Sequence, residues 1–347
     1  MYVVVGFLRV MATIPDGIAP GATFMISVAA PAQQAAPAQQ VMAVAAGPGT
    51  TGLPMLAGYN KFIIKQKVQF FEAMSGGCCE QENTYRVFDA NTNAAILNVQ
   101  ERSGNFVRCC CAPHHSLRLE VTATDPTGQA NNGTLMTMER LGCCDKNCLG
   151  CCVCCDCCRE EAYFHEGLAE GDVGQMDRSK VFGSATVPTM GGCLTPTVEM
   201  MDRSGRNFAV VHGPTCFGGC SELVCDTTFA ISKVPPGAAS NSVMKVGDHA
   251  TLKKMKPESM CAAMKEAMSD SDNFSLEFLD PNMDNEQKAT TLGMVFLLDY
   301  MFFERDSDMC KRDNDGKLVI TLCNMYCCGY LYPCTCGLGG GNEGGNN

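Results

Sequence analysis

The sequence predicts a mainly β fold: a barrel or sandwich of short antiparallel strands, with an apolar helix towards its C-terminal side. Three observations predict it. Short segments of alternating apolar and polar residues recur from about residue 62 onward, and Leu117-Arg-Leu-Glu-Val121 is the cleanest period-2 run. Turn signals separate them, among them Asp125-Pro-Thr-Gly128, Asn131-Asn-Gly133 and Arg203-Ser-Gly205. A single long stretch, about Asn285 to Glu304, is apolar nearly all round and carries helix-start chemistry instead.

In chain order, residues 1–55 form an arm. From 12 to about 55 it is rich in Ala, Pro, Gln and Gly with almost no charge, so it has little to bury and is expected to be disordered. Strand-like segments follow at Phe62–Phe71, Tyr85–Asp89, Ala95–Glu101, Ser116–Thr122, Leu135–Arg140, Val198–Asp202, Asn207–His212, Leu223–Ile231 and Val243–Val246. A first helix is expected after Pro257, with Met260, Met264 and Met268 spaced at i, i+4, i+8. The second helix starts at Asp284, an N-cap with Gln287 three residues on, as in a capping box. At 1.5 Å per residue, Lys288 to Glu304 spans about 25 Å, short of the roughly 30 Å of hydrocarbon. A helix buried in the core is therefore expected over a membrane span. In the tail, 305–347, Asp313-Asn-Asp-Gly316 is a turn before a strand at Lys317–Leu322, and Gly337–Asn347 is expected to be disordered.

The 347 residues allow one large domain or two ordinary ones. A net charge of −11 argues against nucleic acid, whose binding rests on neutralising phosphates, and against unaided adsorption to an anionic membrane surface. The apolar start, Met1 to Leu8, has no basic residue ahead of it and makes a poor signal peptide, so the chain is expected to be intracellular with reduced thiols. The five His residues, at 114, 115, 165, 212 and 249, show no metal or triad spacing, and no catalytic constellation stands out.

Two clusters carry chemistry. In Cys143–Cys158, nine of sixteen residues are Cys; Cys109-Cys-Cys111 precedes the run and Cys216, Cys220 and Cys225 follow it. Spacing alone leaves three readings open: zinc through overlapping C-x₂-C steps, disulfides, or thioacylation of a surface loop. The second cluster is Asp270-Ser-Asp-Asn-Phe-Ser-Leu-Glu-Phe278. Phe274, Leu276 and Phe278 share one strand face, Asp270 and Asp272 lie at its start, and Asp280 and Asp284 lie after its end. Carboxylates this dense offer hard oxygen ligands for Ca²⁺, although the pattern is not an EF-hand: Ser275 stands where that loop needs Gly, and Pro281 where it needs Glu. The alternative is solvated turn carboxylates with Asp284 as a helix cap.

At Asp270-Ser-Asp-Asn-Phe274 and at Met294-Val-Phe-Leu-Leu-Asp-Tyr-Met-Phe-Phe-Glu304 the chain resembles the phospholipid scramblase family. The likeness extends to Phe62–Glu72, to Cys109-Cys-Cys111 with Leu117-Arg-Leu119, to Met138-Glu-Arg140 before the Cys run, and to His212–Cys216 through Phe229–Ile231. It keeps its order over about 56–304. The resemblance implies a closed antiparallel β-barrel of about twelve strands around a central apolar helix, 285–304, as in tubby-like domains. It also implies palmitoylation at Cys151, Cys152, Cys154, Cys155, Cys157 and Cys158, and a weak Ca²⁺ site over Asp270, Asp272, Phe274, Leu276, Phe278, Asp280 and Asp284 with the carboxylates as ligands. The implied activity is ATP-independent, bidirectional, Ca²⁺-responsive phospholipid movement between leaflets, at the cytoplasmic face of the plasma membrane. The partners implied are the phospholipid membrane, and protein partners or an oligomer. The alternative is a palmitoylated barrel that binds lipid or proteins without moving lipid. The chain departs from the family in its arm, which is reduced to Ala/Pro/Gln, and in one inserted residue between Phe278 and Asp284. Its basic segment survives only as Lys253-Lys-Met-Lys256, and the tail carries six further Cys.

Overall fold

The computed structural model describes residues 2–5, 8–11, 52–67, 82–103, 115–124, 130–142, 145–146, 155–257, 272–304, 310–312 and 318–338. The helix expected after Pro257, the remainder of the arm and the last residues of the tail lie outside them. Two short strands, Tyr2–Val5 and Leu8–Met11, pair as a hairpin in a unit of their own, residues 1–42.

In the larger unit, twelve strands close into a barrel: β1 Lys61–Gln66, β2 Thr84–Asp89, β3 Ala95–Glu101, β4 Leu117–Thr124, β5 Ala130–Arg140, β6 Glu161–Glu166, β7 Val181–Thr186, β8 Thr197–Asp202, β9 Asn207–His212, β10 Thr227–Lys233, β11 Ala250–Lys254 and β12 Asn273–Phe278. Each strand pairs antiparallel with its sequence neighbours, and β12 closes on β1 through Asn273 opposite Lys65 and Glu277 opposite Lys61. Period-2 patterning decides which side faces in. In β4, Leu117, Leu119, Val121 and Ala123 are buried while the residues between them are not.

The interior is filled by α1, Asn285–Leu298, which runs on as a π-helical turn, Asp299–Phe303. The predicted capping box forms: Asp284 Oδ1 accepts from Gln287 N at 2.8 Å, and Gln287 Oε1 accepts from Asp284 N at 3.4 Å. Every residue from Lys288 to Leu298 is buried. The helix of 19 residues is about 28 Å long, and no helix among the described residues is long and apolar enough to cross a membrane. The upper mouth is the end of the barrel where α1 begins, and the lower mouth is where it ends. A 3₁₀ turn, Leu53–Gly58, packs at the upper mouth.

The structure corrects two strand expectations and adds strands that were not expected. Val243–Val246 is not a strand. Met244 and Val246 are exposed, the Val246 and Gly247 N–H groups donate to Ser232 Oγ rather than to a strand ladder, and the strand starts later, at Ala250. The segment expected from Leu223 begins only at Thr227, because Gly219–Leu223 is a 3₁₀ turn. Strands β6 and β7 were not legible as strands. Gly183 in β7 makes room for the helix, since a Cβ there would stand 2.0 Å from Thr290 Oγ1.

After α1 the tail forms β13 Cys310–Arg312, β14 Leu318–Cys327 and β15 Tyr330–Leu338. These pair with one another, and β14 also pairs with a short strand at Cys216–Phe217. Cys216 and Cys323 form a disulfide with Cα atoms 6.2 Å apart, which corrects the expectation of uniformly reduced thiols.

Candidate functional site at the two mouths of the barrel

The lower mouth gathers the charged groups. Lys254, the last residue of β11, follows Leu252 on the inward face and is 6% exposed. Its Nζ donates to Glu222 Oε2 at 2.5 Å and to Asp272 Oδ1 at 2.9 Å, and lies 4.2 Å from the Phe303 ring centroid. Burial alone would lower the Lys254 pKa, but the Asp272 and Glu222 carboxylates overcome it and hold the ammonium well above its ordinary value. Asp272 N also donates to Gln66 Oε1 at 3.0 Å.

Deeper in, Asp299 accepts from the Tyr85 hydroxyl at 2.5 Å. Burial and then the nearby Asp272 charge raise its carboxyl well above the usual range, which favours the protonated form. Beside it, the Tyr300 hydroxyl donates to Glu101 Oε2 at 2.8 Å and accepts from Asn83 Nδ2 at 3.1 Å. Asn83 Nδ2 also donates to Glu304 Oε1 at 2.7 Å. The π turn, closed by Glu304 N donating to Asp299 O at 3.0 Å, places both ends of this network on the strands around it.

The upper mouth is simpler. Lys288 Nζ donates to the carbonyls of Leu56, Ala57 and Tyr59 at 3.2, 3.2 and 2.8 Å, and burial lowers its pKa. A cavity of about 190 Å³ is lined by Arg206, Lys233, His249, Asp280 and Gln287 among others. Lys233 pairs with Asp280 at 2.8 Å, and burial pushes His249 down to about 4.

The predicted Ca²⁺ stretch does not gather at one point. Asp272 is at the lower mouth; Asp280 and Asp284 are at the upper one. Eight residues of extended chain separate Asp272 from Asp280, about 26 Å at 3.3 Å per residue. Phe274, Leu276 and Phe278 point inward and pack, Phe274 against Phe303 and Phe278 against Phe62. Asp270 lies outside the described residues. The other three carboxylates already have protein donors: Lys254 on Asp272, Lys233 on Asp280 and the helix N-terminus on Asp284. Among the described residues no group of three or more His, Cys, Asp and Glu side chains is placed to hold a metal ion.

Of the six predicted acylation positions, Cys151, Cys152 and Cys154 lie outside the described residues. Cys155 and Cys157 are exposed, whereas Cys158 is buried and disulfide-bonded. Sequence reasoning missed Lys254, Glu222, Tyr85, Lys288 and His249. Period 2 through Leu252 and Lys254 was the one available signal for an inward-facing lysine.

A family model described as Scramblase matches residues 40–305. Phospholipid scramblase 1 of Mus musculus is 25% identical over 262 residues, 75% of this chain and 66% of that protein. Phospholipid scramblase 1 of Homo sapiens is 26% identical over 254 residues, 73% of this chain and 66% of that protein. Phospholipid scramblase 2 of Homo sapiens is 25% identical over 256 residues, 73% of this chain and 71% of that protein. The match thus spans slightly under two thirds of the length of the first two relatives. No solved structure matches the chain. With a closed twelve-stranded antiparallel barrel, a helix buried inside it, and a family match running from the arm to the end of that helix, the chain belongs to the scramblase family.

Proposed function

We propose that this protein moves phospholipids between the leaflets of a membrane, in both directions and without ATP, in response to Ca²⁺. The observation that carries the reading is the family match over the whole barrel and its central helix. The packed interior constrains how this works. Lys288 to Leu298 are all buried inside the barrel, so no polar headgroup can pass through it. Lipid therefore moves along the outside of the protein, through locally thinned bilayer or between copies of the chain. Protein partners belong to the same reading.

Attachment is by palmitate on the Cys151–Cys158 run, at the cytoplasmic face of the plasma membrane. We place the Ca²⁺ response at the lower-mouth connection that carries Asp270 and Asp272. The upper-mouth carboxylates, Asp280 and Asp284, serve the fold. Ca²⁺ would supply charge to that connection and compete with Lys254 for Asp272.

The test is reconstitution into liposomes carrying a fluorescent phospholipid, with a quencher that reaches only the outer leaflet, with and without Ca²⁺. The expected result is loss of the protected inner-leaflet signal when Ca²⁺ is present. Signal protected under both conditions would remove the reading and leave a lipidated barrel that binds without translocating.

A further inference from the structure

We infer that the lower mouth, together with the outer face of the β14–β15 hairpin, is the surface on which this protein rests on a lipid bilayer. This rests on the reading above, that the protein works on phospholipid. The hairpin lies beyond the residues matched by the family, 40–305.

Topology makes the two mouths chemically different. In an up-and-down barrel, alternate connections lie at opposite ends. The β1–β2, β3–β4, β5–β6, β7–β8, β9–β10 and β11–β12 connections all attach at the lower mouth. All 25 cysteines of the chain belong to these six connections or to the tail after α1. The six connections at the upper mouth have none, and neither do the barrel strands. In chain order, the cysteines thus belong to connections that leave from one end of the barrel, or to the tail.

The hairpin is on that side and is fixed there. Its inner face is buried through Thr321, Asn324 and Tyr326. The Tyr326 hydroxyl donates to Gly191 O at 2.7 Å, the Tyr326 ring meets Phe302 at 5.8 Å, and Cys323 is bridged to Cys216. Its outer face stays exposed at Leu318, Leu322, Met325, Tyr330 and Tyr332, by 37 to 54%. From Leu318 to Leu338 there is no Asp, Glu, Lys, Arg or His, in a chain that is 18% charged and carries −11.

Charge decides the occupant. The acidic remainder is repelled by an anionic leaflet, while this face has no charge to desolvate and has tyrosines suited to the headgroup level. Cys327, Cys328, Cys334 and Cys336, all unbridged, add further attachment points on the same hairpin. A bilayer contacting this face would meet the mouth where Asp272, Lys254 and the end of α1 converge.

The chain has no Trp, so one introduced Trp reports its own surroundings. Tyr332→Trp marks the hairpin, and Met244→Trp marks an exposed position in an upper-mouth connection. Each full-length variant is reconstituted into phosphatidylcholine/phosphatidylserine liposomes with brominated acyl chains, and lipid movement is measured in the same vesicles. Quenching of Tyr332→Trp with Met244→Trp unquenched is the expected result. Equal quenching, quenching at Met244→Trp alone, or none at either position overturns the inference. Lipid movement in vesicles where Tyr332→Trp stays unquenched would sink the orientation and leave the proposed function standing; the opposite pattern would do the reverse. A paired variant, Leu322→Asp with Met325→Asp, should lower the vesicle-bound fraction by roughly tenfold or more at unchanged melting temperature. Unchanged binding, or a concentration-dependent dimer lost in this variant without loss of vesicle binding, gives the face to a second copy and overturns the inference.

Discussion

The Tyr85 hydroxyl donates to Asp299 across 2.5 Å inside the barrel, joining β2 to the point where α1 widens into a π turn. Burial holds Asp299 above its ordinary 3.8. The folded protein therefore binds more protons than the unfolded chain, and stability falls as pH rises from 3.8 towards the folded pKa. Asp299→Asn mimics the protonated carboxyl. We expect it to fold and to flatten this part of the pH–stability curve, as read by urea unfolding across pH 5–8. Tyr85→Phe removes the donor and should cost about 1–3 kcal/mol.

His249 works in the opposite sense. Its folded pKa, about 4, lies below the ordinary 6.5, because the neutral ring is buried beside Phe208 at the upper mouth. Asp280, 3.7 Å away, raises the pKa but does not overcome burial, and Lys233 opposes it. The contribution is complete above pH 6.5 and is lost as pH falls towards 4. His249→Gln should flatten acid unfolding within that window. A parent-like acid limb in the variant would assign the loss to other groups.

Lys254 neutralises two carboxylates in a nearly closed space. Lys254→Met should cost about 3–5 kcal/mol, because it leaves Glu222 and Asp272 facing each other without a cation. Adding Asp272→Asn to that variant should recover part of the loss, which a double-mutant cycle in urea would measure. Calorimetric Ca²⁺ titration of Asp270→Asn/Asp272→Asn should show weaker binding than the parent; unchanged binding would place the ion elsewhere.

Helix and wall also meet at two glycines. A Cβ on Gly293 would stand 2.3 Å from the Phe164 ring, and one on Gly183 would stand 2.0 Å from Thr290 Oγ1. Overpacking of this kind costs about 1–3 kcal/mol or more. Gly293→Ala and Gly183→Ala should each lower the melting temperature. Gly205→Ala has nothing within 4 Å and loses only the backbone freedom that its φ of 78° uses.

Acyl chains contribute about 0.8 kcal/mol per buried CH₂, and two of them anchor stably. Any single Cys→Ala at Cys151, Cys152, Cys154, Cys155 or Cys157 should be tolerated, whereas Cys158 is held in a disulfide. Replacing Cys151, Cys152, Cys154, Cys155 and Cys157 together, or adding hydroxylamine, should lower the share of protein in the membrane fraction. Unfolding by a chelator with no effect of hydroxylamine would instead assign the run to zinc.

The parts of the fold legible in the sequence are those whose signals are local. Leu117–Val121 alternates because one face of β4 is buried, and Asp284 with Gln287 forms its capping box within four residues. Strand β7 was missed because packing against Thr290 requires Gly183 and small neighbours, which erases the apolar alternation. The lower-mouth cluster was missed for a different reason. Lys254 looks like one residue of a solvated basic run until the barrel closes, and its partner Glu222 is brought to it from 32 residues earlier in the chain.

The position of α1 inside a barrel whose strands all precede it sets an order of assembly. Each seam from β1 through β12 joins sequence neighbours, so the sheet can grow as the chain is synthesised, closing one local connection, the longest of them residues 141–160, at a time. The piece that fills it comes last. Until Phe303 has left the ribosome, the sheet has an apolar concave face and nothing to cover it, which is the condition under which partly made chains aggregate. A chain terminated before Asn285 would keep all twelve strands and lack its core, so it should depend on chaperones far more than its lost length implies.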